Sequence, residues 1–404
     1  MKIVEREIKD TKGCDERRHV SCLTSPVVSR LTSHATTPWP KVKLGEIGRV
    51  AMCKRVLNRE TADIGEIPFF KIGTFGKKAN AFITRDKFEY YRTHYSYPQK
   101  GNVLISAAGT IGRLVVFNGE PAYFQDSNIV WLEHDGQRLC DKYLYYFLLG
   151  HEWQFTQGAT IQRLYNDDIR STEIPLPPLP VQRRIADILS AYDDLIENNR
   201  RRIAILEETA RLTYRKWFGG TEQGRTATLG EIADVVMGQS PESKTYNDNG
   251  EGLPFHQGVT GFGFRYPRNE MWCTAGTRFA EEGDILFSVR APVGRINVAG
   301  KRIVIGRGLS AMRAKNGFQS WLLYALKHHF SKEDMIGVGC IFASTTKKEL
   351  LSVPLPFPPD EEVAAFEQIA GPIDAQIKAQ SKQNAALAAA RDMLLPRLMK
   401  GGVA

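Results

Sequence analysis

The 404-residue chain is short of several features that catalysts, membrane proteins and stapled secreted domains need. Its six cysteines stand at 14, 22, 53, 140, 273 and 340, and no two have C-x-x-C spacing. That argues against a disulfide framework and a structural zinc site, and for a reduced cytosol. Cys14, His19 and Cys22 lie close together but fit no zinc pattern. No stretch approaches 18 uninterrupted apolar residues, so no membrane span is expected. The charged segment from Met1 to Arg18 lacks an apolar core and does not read as a secretory signal.

Catalytic motifs are missing too. Gly76-Lys77 lacks the earlier glycine of a phosphate-binding loop, because Lys71 stands there. There is no H-E-x-x-H, no G-x-S-x-G and no G-x-G-x-x-G, and Gly261-Phe262-Gly263 has no third glycine. The N-P-P-[YF] tetrapeptide of amino-methyltransferases is absent. His328-His329 sit side by side on a helical pattern, where neighbours point different ways and a shared ligand role is not expected. The expectation is a chain without an active site and without a metal.

What is present is ordinary in amount and unusual in order. The chain is 42% hydrophobic and 25% charged, enough to bury sizeable cores, and its net charge of +9 favours an anionic partner. Leu44-Gly45-Glu46-Ile47 recurs as Leu229-Gly230-Glu231-Ile232, and Ile67-Pro68-Phe69 as Leu253-Pro254-Phe255. Gly101-Asn102-Val103-Leu104-Ile105-Ser106 recurs as Gly283-Asp284-Ile285-Leu286-Phe287-Ser288. Gly112-Arg113 and Gly294-Arg295 follow these runs at the same distance. Leu144, Tyr146 and Leu148 match Leu322, Tyr324 and Leu326, and Pro175-Leu176-Pro177 matches Pro354-Leu355-Pro356. Six matches in one order mark a tandem duplication.

Each copy opens with short β-type runs rich in glycine and aromatics, such as 67–72, 102–106, 114–117 and 129–132, then 284–289 and 303–305. Helical patterns at 142–149 and 321–330 interrupt them. A proline-rich run then ends each copy, at 174–180 and 353–359, and reads as a hinge or linker; a PxxP-type ligand is the alternative.

After each run the period changes to 3.5. Ile185, Tyr192, Asn199, Leu206 and Thr213 step by sevens, with Leu189, Ile196, Ile203, Ala210 and Trp217 between them. Asp193 and its charged neighbours read as a solvated face, and Asn199 as a register device. The second seam runs Phe366, Ile373, Gln380, Leu387 and Leu394, with Ala370 and Ile377 between. Gln380 takes the place of Asn199, polar Asn384 and Arg391 those of Ile203 and Ala210, and Gly371-Pro372 predicts a break. Two such seams are expected to pair antiparallel. About 35 helical residues make a rod of roughly 50 Å, on the order of one and a half duplex turns.

Basic and small polar residues cluster within each copy. Candidates for nucleic-acid contact are Lys71, Lys77, Lys78, Arg85, Ser106, Thr110, Arg113, Gln162 and Arg163 in the first. In the second they are Gln257, Arg265, Arg268, Arg290, Arg295, Arg307, Lys347 and Lys348. Arginine can fork onto guanine, glutamine onto adenine, and lysine, serine and threonine can hold phosphate. A solvated charged surface is the alternative for any one of them.

The G-[ND]-[VI]-L-x-S run followed by G-R, and the P-L-P-P-L-P-x-Q run leading into a heptad helix with Gln182 as its glutamine, resemble the specificity subunit of type I restriction-modification enzymes. In the second copy Glu361 stands where the glutamine would. The resemblance covers about residues 40–400. It implies an α+β chain: an extension at 1–39, recognition domains at 40–180 and 219–359, and helices at 181–218 and 360–400. Each domain would read half of a split duplex DNA target. The helices would set the gap and dock two methyltransferase subunits, and the assembly would recruit restriction (translocase-nuclease) subunits. S-adenosylmethionine, ATP and magnesium would belong to those partners, in a bacterial or archaeal cytoplasm. Competing readings are a scaffold for RNA or an acidic protein, and a fused methyltransferase-nuclease, whose catalytic domain this length does not contain.

Overall fold

The computed structural model describes residues 39–153, 163–220, 225–332 and 344–401. The chain forms two compact units, Leu195–Ala386 and the remainder on either side of it in sequence. The extension at 1–38 and Gln162 lie outside the described residues.

In the first unit, Lys41–Lys43 pairs antiparallel with Glu173–Pro175 and closes the domain. A four-stranded antiparallel sheet runs Arg49–Ala51, Ile129–Glu133, Val103–Ser106, Leu114–Val116. A three-stranded sheet runs Phe82–Ile83, Ile67–Phe70, Tyr123–Phe124, with Phe69 opposite Tyr123 in a parallel pair. Val103–Ser106 is buried throughout. Because side chains alternate along a strand, Leu104 packs with the aromatics Phe69, Phe88, Tyr123 and Trp131. Val103 and Ile105 turn the other way, toward helix Asp141–Leu149 and the start of helix Leu179–Phe218.

The second unit repeats this plan. Thr226–Thr228 pairs with Pro354–Pro356. A four-stranded sheet runs Ala233–Met237, Leu309–Ala314, Ile285–Ser288, Ile296–Val298. A five-stranded sheet contains the parallel pair Phe255 and Val304. Leu286 faces one core while Ile285 and Phe287 face the other. The G-[ND] dipeptide before the buried strand has a physical reason in both copies. Gly101 (φ +98°) and Gly283 (φ +92°) adopt a left-handed backbone. Asn102 Oδ1 accepts the Gln99 N–H at 2.7 Å, as Asp284 Oδ2 accepts the Glu281 N–H at 2.7 Å.

Three sequence expectations are corrected here. The proline runs are not free linkers: Pro175 and Pro354–Pro356 sit in the closing strand pairs, and Ile174 and Leu355 are buried in the cores. Edge pairing tolerates the missing proline N–H. Secondly, Gly371-Pro372 does not break the second helix, which is continuous over Asp360–Met399. Glycine before proline removes the Cβ that would clash with the ring, and, beyond its neighbours in the helix, a Cβ there would meet nothing nearer than Glu367 Oε1 at 3.9 Å. Thirdly, the end of the first seam is carried by Tyr214 and Phe218, while Thr213 is only half-buried and Trp217 is exposed. A straight helix drifts from a strict 3.5 repeat by about 20° per heptad. Asn199, read as a register device, donates from Nδ2 to Gln383 Oε1 and Asn384 Oδ1, both at 3.0 Å.

Each long helix has 40 residues, about 60 Å at 1.5 Å per residue. In the first unit, Ile185 and Leu189 bury into the core beside Leu395, Leu398 and Met399, and Leu394 packs against it. Tyr192 and Leu387 are half-buried. In the second unit Ile196, Ile203 and Ile377 are buried, Leu206 and Ile373 half-buried, and Phe366 stacks edge-on to Tyr214 and Phe218. Asn199 meets Asn384 and Glu207 lies with Asp374 on one guanidinium. Numbers fall in one helix as they rise in the other, so the pair is antiparallel.

Candidate nucleic-acid interface

One hairpin loop per copy is built the same way. In the first unit, residues 107–113 connect Val103–Ser106 to Leu114–Val116. Ser106 closes the loop: its backbone N–H donates to Arg113 O at 2.9 Å, its Oγ accepts the Arg113 N–H at 2.8 Å, and its hydroxyl donates to Thr110 O. In the second, the Ser288 N–H donates to Arg295 O at 2.9 Å, Oγ accepts the Arg295 N–H at 2.8 Å, and the hydroxyl donates to Pro292 O at 2.6 Å. Gly112 (φ +76°) and Gly294 (φ +87°) supply the left-handed residue before each arginine.

Neighbouring segments join each loop by matching bonds. The Ala107 N–H donates to Asn128 O at 2.8 Å, and Leu164 donates to Ala107 O at 2.9 Å. Val289 donates to Gly308 O at 3.0 Å, and Thr345 to Val289 O at 2.8 Å. In the first unit Arg113 Nη1 also donates to Phe75 O at 2.9 Å, and Ile72 N–H to Gln125 Oε1 at 2.9 Å. The Lys71, Lys77 and Lys78 loop thereby meets Thr110, Arg113 and Arg163 in one cluster. In the second unit Gly308 donates to Gln257 O at 3.1 Å, Ser240 Oγ to Gln257 Oε1 at 2.8 Å, and Arg290 bridges to Ser344. Gln257, Arg290, Arg295 and Arg307 so converge, with Lys347 and Lys348 opening helix Lys347–Leu351 close behind in sequence. The side chains of Lys77, Lys78, Arg290, Arg295 and Arg307 are exposed and in no ion pair among the described residues. Clustered, unneutralised cations on glycine-rich loops suit a phosphate backbone.

Other candidates are placed differently. Ser106 is buried, and its hydroxyl is consumed inside the loop, so it shapes the loop rather than touching a ligand. Arg265 is 4% exposed and turned away from solvent. Its Nη1 meets Glu207 at 2.7 Å, and its Nη2 pairs with Asp374, so it binds the long helices. Both assignments to ligand contact are corrected on burial. Arg85 is exposed but pairs with Glu66 at 3.4 Å. Arg163 Nη2 donates to Ser127 O at 2.6 Å. Exposed Arg268 donates its backbone N–H to Gly261 O at 2.7 Å and joins the loop cluster by no described contact.

The sequence marks Gln182 as a motif residue but not the bonds by which it and others fasten domains to helices. Gln182 is fully buried: its Oε1 accepts the Cys140 N–H at 2.9 Å, and its Nε2 donates to Arg138 O and Pro177 O, both at 2.8 Å. In the second unit Glu361 is exposed, and Glu367 does the equivalent work, accepting the Ser320 N–H at 3.1 Å and the Trp321 N–H at 2.9 Å. Tyr146 Oη donates to Asp193 at 2.6 Å, and Tyr324 Oη to Asp374 at 3.0 Å. Asp193 is therefore not on a solvated face, and Arg391 neutralises it. The tyrosines repeat at an offset of 178 and the aspartates at 181, so no single repeat offset aligned both bonds. Burial pushes the Lys327 ammonium down in pKa, against the pull of Glu207 beside it.

Two α+β units, each with one basic loop cluster and each packed on the paired helices, define a duplicated two-domain architecture. The family described as the type I restriction modification DNA specificity domain matches residues 37–208 and again 224–387, and the chain belongs to that family. A type I restriction enzyme specificity subunit of Haemophilus influenzae is 53% identical over 154 residues, 38% of this chain and only 40% of that relative. The MjaX specificity subunit of Methanocaldococcus jannaschii is 30% identical over 333 residues, 75% of this chain and 78% of that one. The crystal structure of a type I restriction-modification S subunit from M. genitalium superposes with a TM-score of 0.58 at 20% identity, covering 91% of this chain and 98% of that one. That likeness is one of fold. Among the described residues no helix is long and apolar enough to cross a membrane, and no group of three or more His, Cys, Asp or Glu could hold a metal ion.

Proposed function

We propose that the chain is the DNA-reading subunit of a type I restriction-modification complex and is itself non-catalytic. Each loop cluster reads one half of a bipartite, asymmetric duplex target. The paired helices set the unspecified gap and dock two methyltransferase subunits, and restriction subunits join that assembly in the cytoplasm. S-adenosylmethionine, ATP and magnesium serve the partner subunits. The observation that carries this reading is the repeated serine-locked loop, which holds an arginine at the same place in both copies, half-buried Arg113 and exposed Arg295.

The test is selection from a randomised duplex library by the chain assembled with its methyltransferase subunits. A split motif with a fixed gap, bound with steep salt dependence, is the expected result. Equal binding to unrelated duplexes at every salt concentration overturns it. RNA outcompeting duplex DNA would favour the scaffold reading instead.

A further inference from the structure

Within the second unit, one arginine is held by both long helices at once. Arg265 follows the tip of a hairpin turn in which Phe262 bridges to Pro267 and Gly263 N–H donates to Tyr266 O at 3.2 Å. The turn is tied to the four-stranded sheet: Val298 N–H donates to Arg265 O at 3.0 Å, and Asn297 Nδ2 to Gly263 O at 2.9 Å. From there the guanidinium reaches Glu207 of the first helix and Asp374 of the second. Tyr324 Oη lies 3.3 Å from Nη1 and donates to Asp374, while Lys327 closes the cluster on Glu207. Both Tyr324 and Lys327 belong to helix Gln319–Lys332 of the recognition domain.

Three elements that need not move together thus share one buried charge cluster. A buried ion cluster is weak evidence for stability, because desolvation offsets most of its attraction. Its best-attested use is to specify one arrangement among several. The two carboxylates come from different helices of an antiparallel pair. Sliding that pair by one turn, about 5.4 Å, leaves the fork one partner short. Swinging the domain about the helices breaks both contacts. Among the described residues the first unit has no counterpart of Arg265: there Tyr146 and Asp193 form the duplicated hydrogen bond, but the cation on Asp193 is Arg391 of the second helix itself.

Resting on the proposed reading of a split target, we infer that Arg265, Glu207 and Asp374 are positioning residues that lock the register of the helix pair to the orientation of the second recognition domain, and so fix the permitted gap between half-sites. The cluster touches no DNA. It acts by penalising every arrangement of helices and domain but one.

The experiment uses the full chain assembled with its methyltransferase subunits. Binding is measured to duplexes that carry the selected half-sites at the selected gap and at gaps one base pair shorter and longer. The charge-free variant R265M/K327M/E207Q/D374N is compared with wild type, with Y324F, and with R265K, which keeps the charge but not the fork. Expected is a fall of about tenfold in discrimination between gaps for the charge-free variant, a smaller fall for Y324F and R265K, and unchanged preference within each half-site. Unchanged gap discrimination in the charge-free variant overturns the inference; should that variant not fold, unchanged discrimination in both Y324F and R265K does so. If wild type itself shows no split motif, the proposed function has failed, and not the lock alone.

Discussion

The hydroxyl of Ser106 is spent on holding Arg113: its Oγ accepts the arginine's backbone N–H at 2.8 Å across a seven-residue loop. Ser288 holds Arg295 at the same distance. The serine is buried in both copies, so the motif preserves a loop shape while the residues inside the loop are free to differ. Replacing Ser288 with alanine should leave the Arg295 N–H without its side-chain acceptor and cost about 1–3 kcal/mol locally. The expected outcome is weaker binding to one half-site, read by competition with duplexes altered in one half at a time, with the other half-site unaffected.

Arg113 and Arg295 occupy equivalent positions with different commitments. Arg113 is bonded to Phe75 O and lies 3.4 Å from Thr110 Oγ1, whereas the exposed Arg295 side chain has no described partner. Arg295→Ala should therefore cost about 1–3 kcal/mol of DNA binding if its guanidinium reads a base. A loss confined to one base pair identifies a base contact. A loss that is uniform across sequences and lowers the salt slope identifies a phosphate contact.

Gln182 and Glu361 stand at equivalent points of the repeat, yet only Gln182 is buried and fully bonded. Gln182→Ala strands three backbone groups and should destabilise the first domain by about 2–3 kcal/mol. Glu361→Ala should change stability by less than about 0.5 kcal/mol. Denaturant unfolding of the two variants measures both.

His256 is buried, with Nε2 bonded to Asn269 Oδ1 at 3.1 Å. Burial holds its pKa below the ordinary value of 6.5; the bond to Asn269 and the charge of Glu270 pull it upward, and Lys301 pulls it down. Between the lowered folded value and 6.5, the unfolded chain binds more protons than the folded one. Stability of the second unit should thus be complete above about pH 6.5 and fall as pH drops below it. His256→Gln should flatten that slope in thermal melts taken from pH 7 to pH 5. Equal slopes would show that other groups dominate.

The fold was legible because duplication doubles every signal. Buried strands such as Val103–Ser106 and Ile285–Ser288 are short apolar runs between a glycine and a serine, and their repetition told them apart from chance. The Tyr146–Asp193 and Tyr324–Asp374 bonds were not legible, since nothing local separates a helix carboxylate facing water from one facing a tyrosine. Arg265 misled for the same reason: a cation beside glycines reads as a contact until the partners from distant helices are in place. The seam's last turn slipped by one residue because period 3.5 was extended along a helix that turns at 3.6.

The central claim is that two separate loop clusters read two separate half-sites. It is tested most directly by exchanging residues 71–80 and 107–112 for those of another family member and mapping methylated positions genome-wide in cells that carry the partner subunits. The account predicts a split motif in which one half changes while the other half and the gap stay the same. A motif that changes in both halves, or methylation that does not depend on this chain, would contradict it.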